Sequence, residues 1–156
     1  MNNDRRKVLK GTGGMAVMGL AVSAGLFKPG SAWAQAWNKA AFETKSLADT
    51  VKAMGGSGAT ESKDIVISSP DIAENGAVVP FTISSRVPKT ESIALLVEKN
   101  PNALAASFNI PAGTEAGVTT RVKMGQTSNV TALVKADGKF YYTTKEVKVT
   151  MGGCGG

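Results

Sequence analysis

Histidine is absent from the 156 residues of this chain, and cysteine occurs once, at Cys154. Without an imidazole there can be no Cys–His or Ser–His pair and no His-containing metal site. A single thiolate cannot hold zinc, and it cannot close an internal disulfide. The carboxylates Asp49, Asp64, Asp71, Glu74, Glu91, Glu98 and Glu115 are scattered through expected loops and strand ends, with no spacing that pairs an acid with a base. Strongly apolar runs of ~20 residues are also missing, because glycines at 11, 13, 14, 19 and 25 dilute the one candidate stretch. A membrane anchor is therefore not expected. Catalysis by this chain alone is not expected either.

What is present at the amino terminus reads as an address. Asp4-Arg5-Arg6-Lys7-Val8-Leu9-Lys10 is a twin-arginine run, followed by the Gly-rich apolar stretch 11–27 and then Lys28-Pro29-Gly30. Ala32-Trp33-Ala34 supplies a small-x-small cleavage site. Residues 1–34 resemble a twin-arginine export signal, with Asp4 and Val8 as departures from its pattern. They imply a periplasmic protein that begins at Gln35 once the signal is removed. Arg5, Arg6, Lys7, Lys10 and Lys28 stand against Asp4 alone in that leader, so most of the formal charge of +6 leaves with it. A nucleic-acid reading based on overall basicity then has no footing.

The remaining chain has the length of one domain. Residues 35–58 are expected to form an N-terminal amphipathic helix over 36–54, with Trp37, Ala40, Ala41, Phe42, Leu47, Val51 and Met54 recurring at helical spacing. Gly55-Gly56-Ser57-Gly58 should stop it. From 59 to 150 the texture is β-type, with strands expected at 64–68, 77–85, 92–98, 104–110, 117–124, 129–136 and 139–150. Asn75-Gly76 reads as a turn, Asp137-Gly138 as a hairpin, and Pro80 as an edge or bulge position. Short strands at this spacing, with no helix between them, indicate a mainly β protein. The expected architecture is an immunoglobulin-like antiparallel β-sandwich, lacking a Cys…Trp…Cys pattern.

Residues 151–156 complete the chain as Met151-Gly152-Gly153-Cys154-Gly155-Gly156. Glycine on both sides of the thiol leaves nothing to pack and nearly unrestricted torsions. A lone cysteine in an oxidising compartment points to a free reactive thiol or to pairing between chains. The reading is a flexible C-terminal Gly-Gly-Cys-Gly-Gly arm, anchored by the strand that precedes it. Cys154 is the covalent attachment point, and Gly152, Gly153, Gly155 and Gly156 form the tether. Its reach from Met151 is about 16–18 Å when fully extended. Thiols form persulfides, mixed disulfides and other S-conjugates reversibly.

The ending Val147-Lys148-Val149-Thr150-Met151-Gly152-Gly153-Cys154-Gly155-Gly156 resembles the carboxy-terminal arm of the SoxY family, the sulfur carriers of the thiosulfate-oxidising Sox system. The segment from Pro70 to Pro80 and the block Glu98-Lys99-Asn100-Pro101 are similar to internal segments of that family. The resemblance implies pathway intermediates carried on Cys154 and a β-sandwich partner subunit, SoxZ. It further implies a c-type cytochrome enzyme that loads thiosulfate, a dimanganese hydrolase that releases sulfate, and a sulfane dehydrogenase. No cofactor of its own is implied. The alternative is a periplasmic binding or assembly module whose cysteine forms an intermolecular disulfide, giving a disulfide-linked dimer. A ubiquitin-like carrier activated at Gly155-Gly156 is disfavoured by the export signal and by the strand count.

Overall fold

The computed structural model describes residues 38–150. Two short helices open it. Helix α1 spans Lys39–Phe42, with the Asn38 side chain accepting from the Ala41 amide. Helix α2 spans Leu47–Ala53. The single helix expected over 36–54 is therefore interrupted, and Ser46 is the reason. Its backbone is extended and its hydroxyl accepts the Asp49 amide at 3.1 Å, which starts a new helix there. Thr44 and Thr50 share a hydroxyl contact of 2.6 Å across the break, and Thr50 also bonds the Ser46 carbonyl. The glycine run ends α2 as expected, with Gly55 at φ +87 and the Gly56 amide returning to the Val51 carbonyl.

Nine strands follow: β1 Ala59–Glu61, β2 Ile65–Ser68, β3 Ile72–Ala73, β4 Val79–Ser85, β5 Thr90–Val97, β6 Leu104–Asn109, β7 Gly117–Val122, β8 Ser128–Ala136 and β9 Lys139–Val149. They form a sandwich. One sheet has the order β1-β9-β8-β5-β6, with β3 also paired to β9, and the other has the order β2-β4-β7. All seven expected strands are present, and the sandwich is confirmed. Its pairings are antiparallel except along the outer edge of β9, where β1 and β3 both run parallel to it. Neither of those two short strands is expected from the sequence.

Alternation places Val79, Phe81 and Ile83 of β4 against Ile93, Leu95, Val97, Val130, Ala132, Val134 and Val147 of the large sheet. The outer face of that sheet has its own core. There Ala94, Leu96, Leu133 and Phe140 pack under Ala41 and Val51 of the helices. Coverage on both faces explains why Ser92–Val97 of β5 is buried at every position. Asp137 and Gly138 both have positive φ, and Ala136 pairs with Lys139, the geometry of a tight hairpin. Pro80 opposes Arg121 of β7 but lies beyond β2, whose register with β4 stops at Thr82. On its β2 side that end of β4 is an edge, as a proline needs.

Candidate functional site

Cys154 and the neighbouring Gly152, Gly153, Gly155 and Gly156 lie outside the described residues. The structure shows the platform from which they depart. Strand β9 runs from the Asp137-Gly138 hairpin at one end of the sandwich to Val149 at the other. The amides of its last two residues and of Thr150 just beyond it are all engaged. Lys148 N–H donates to the Asp71 carbonyl at 2.9 Å, and Thr150 N–H donates to the Ala73 carbonyl at 3.1 Å. Both acceptors come from β3 and the residue before it, in register Ile72↔Lys148 and Ala73↔Val149.

The amide between them points the other way. Pairing of β8 with β9 stops at Ser128↔Val147, so β8 has no backbone partner to offer Val149. The Thr127 hydroxyl takes that role, accepting the Val149 N–H at 3.0 Å.

Beneath Val149 passes the turn at Asn75-Gly76. The Asn75 carboxamide accepts the Ala77 amide at 2.9 Å, and the Gly76 carbonyl accepts the Met124 amide at 2.7 Å. A side chain at Gly76 would collide with the Met124 carbonyl oxygen and would sit 2.7 Å from Val149 Cγ1. Only glycine lets this turn lie so close. Lys145 completes the platform. Its ammonium contacts the Asp71 carboxylate at 2.9 Å and the Ser69 carbonyl at 2.7 Å. The Lys145 hydrogen bond, and secondarily its charge, hold the Asp71 carboxyl below the usual carboxylate range, against a smaller opposing effect of burial.

The second internal block braces the same end. Lys99 N–H donates to Ser128 Oγ at 3.0 Å, Asn100 Nδ2 donates to the Lys123 carbonyl at 2.8 Å, and Asn129 Nδ2 donates to Glu98 Oε2 at 3.0 Å. These bonds fix the segment 123–129 that carries Thr127. The two internal segments, Pro70 to Pro80 and Glu98 to Pro101, thus both brace the end of β9. Sequence reasoning missed Asp71, Gly76, Thr127 and Lys145 as parts of the site. Gly76 had a signal, a glycine inside a distinctive segment, but it read only as a turn.

Among the described residues, no group of three or more His, Cys, Asp or Glu side chains could hold a metal ion. No helix among them is long and apolar enough to cross a membrane. What the platform offers chemically is a fixed point of departure for the chain that follows it.

Comparison with known proteins bears on what that chain does. Residues 51–154 match the family model described as "Sulfur oxidation protein SoxY". Proteins of curated function gave no match. Among solved structures, the sulfur carrier protein SoxY from Chlorobium limicola f thiosulfatophilum is 35% identical with a TM-score of 0.58, covering 66% of this chain and 96% of its own. The superoxide reductase (Neelaredoxin) from Ignicoccus hospitalis aligns at 18% identity and a TM-score of 0.48, covering 55% of this chain and 80% of its own. The matched family model reaches to Cys154 itself, and the chain belongs to the SoxY family of sulfur oxidation proteins.

Proposed function

We propose that this chain is a periplasmic sulfur carrier that bears thiosulfate-derived intermediates on Cys154 and presents them to partner enzymes. One observation carries the reading: a strand hydrogen-bonded as far as Thr150 leads, within four residues, to the only thiol of the chain. Four residues reach about 13–14 Å when extended. The body stays outside a partner while the thiol enters it, and the glycines around Cys154 let the tether pass a narrow channel.

The Cys154 thiol is the group this chain contributes to the chemistry. In loading, the Cys154 thiol and thiosulfate form a sulfur–sulfur bond, giving Cys–S–S–SO3⁻, one proton and two electrons. The electrons require an acceptor, and the c-type cytochrome enzyme implied by the family supplies one. Water then cleaves the terminal sulfur–sulfonate bond, giving sulfate, two protons and the Cys154 persulfide anion, Cys–S–S⁻. A dimanganese hydrolase suits that step, and a sulfane dehydrogenase suits oxidation of the sulfur left behind. The carrier supplies the sulfur and the tether, and its partners supply catalysis. Residues 1–34 direct it to the periplasm by the twin-arginine route, and a SoxZ-type β-sandwich subunit is its heterodimer partner.

Cys154→Ser tests this directly. Thiosulfate turnover in a reconstituted system should be abolished, while sedimentation with the SoxZ-type subunit and thermal unfolding stay as in the parent protein. Retained turnover would exclude Cys154 as the carrier. A loss of several kcal/mol of stability, on the scale of deleting a buried side chain, would show a packed thiol instead.

A further inference from the structure

The geometry points to Thr127 as a positioning residue, whose hydroxyl sets the place where β9 ends and the tether begins. This rests on the carrier reading above, since a tether matters only if Cys154 must be delivered. Three successive amides secure the end of β9, and two of them use backbone carbonyls, at Asp71 and Ala73, that any sequence would supply. Val149 is the exception. Its amide faces the β8 side, where the ladder has ended at Ser128↔Val147, and its acceptor is the Thr127 side chain at 3.0 Å. Thr127 and Val149 are both half-buried, so without the hydroxyl this amide loses its partner where water substitutes poorly.

The segment that presents Thr127 is built to hold it still. Lys99 bonds Ser128, Asn100 bonds the Lys123 carbonyl, and the Met124 amide bonds the Gly76 carbonyl. The hydroxyl is thereby tied on one side to the β5–β6 connection and on the other to the turn beneath Val149. With it in place, Cys154 rides on four residues beyond Thr150. If 148–150 peel away, the tether lengthens by three residues, or about 10 Å of reach. The effective concentration of the thiol at a docked partner's active site then falls about two- to five-fold.

The test uses the full mature chain carrying Lys52→Cys on the exposed side of α2, with nitroxide labels on that residue and on Cys154. Interspin distance distributions are compared for the parent, Thr127→Val and Thr127→Ser. Valine keeps the shape without the acceptor, and serine keeps the acceptor. Thr127→Val should broaden the distribution and extend its long edge by up to ~10 Å, while Thr127→Ser retains the parental width. In the unlabelled protein, hydrogen exchange at the Val149 amide should speed up about five-fold in Thr127→Val, from loss of one hydrogen bond. Should valine prevent folding, Thr127→Ala carries the same expectation against the same serine control. Unchanged distances and unchanged Val149 exchange in the variants lacking the hydroxyl would overturn the assignment. So would a serine variant as broad as valine. Neither readout involves sulfur chemistry, so the carrier reading and the role of Thr127 can fail separately.

Discussion

The Lys145 ammonium lies 2.9 Å from a carboxylate oxygen of Asp71 and 2.7 Å from the Ser69 carbonyl oxygen, joining β9 to the segment that enters β3. Burial of the two partners is unequal: the Lys145 side chain is 29% exposed and that of Asp71 is 88% exposed. The contact therefore orients the segment more than it stabilises the protein.

Its pH dependence has a definite sign. The Asp71 carboxyl is held below its unfolded range, so its contribution is present above that range and fades as pH falls through the folded value. Titration of the Asp71 side-chain carboxyl by NMR should give a midpoint below that of an ordinary aspartate. Lys145→Met should move the midpoint upward. An ordinary midpoint in the parent protein would mean that the contact is not kept in solution.

Gly76 offers a sharper mutational contrast. Gly76→Ala forces the turn away from the Met124 carbonyl and from Val149, and should cost about 1–3 kcal/mol. Gly125→Ala, where an added Cβ meets nothing within 4 Å, should cost little. Urea denaturation of both variants checks this. Equal stabilities would mean that the approach of the turn to the arm's base is loose.

Strand β2 was legible as a short β-type run bounded by turn residues, and β4 through β9 because alternation, or the continuous apolar run of β5, is long enough to carry a period. The Asp137-Gly138 hairpin was legible because positive φ at two successive positions demands such residues. β1 and β3 have three and two residues, too few for any periodicity, and exist because β9 offers its outer edge to them. The interruption before α2 follows from Ser46 and Asp49, a capping pair hidden inside an apolar repeat that continues across it. Cys154 stood out in the sequence by its isolation among glycines. Thr127 could not stand out, because its partner Val149 is 22 residues away.

The tether and the thiol should be separable. Gly152→Val together with Gly153→Val leaves Cys154 in place but stiffens and thickens the approach to it. Reaction with a small thiol reagent should stay close to the parental rate, while enzymatic loading falls by about ten-fold or more, the scale expected when a reacting group is misplaced by a fraction of its reach. Equal losses in both assays would assign the glycines to tuning the thiol. No loss in either would remove the arm from the account.

Carriage of sulfur on Cys154 is the central claim, and intact-mass spectrometry of the protein isolated from the periplasm of thiosulfate-grown cells tests it most directly. The account predicts a monomer beginning at Gln35, carrying sulfur or thiosulfonate adducts that are released by reductant and are absent from Cys154→Ser. A thiol found only unmodified, or only as an obligatory disulfide between two copies, would contradict it.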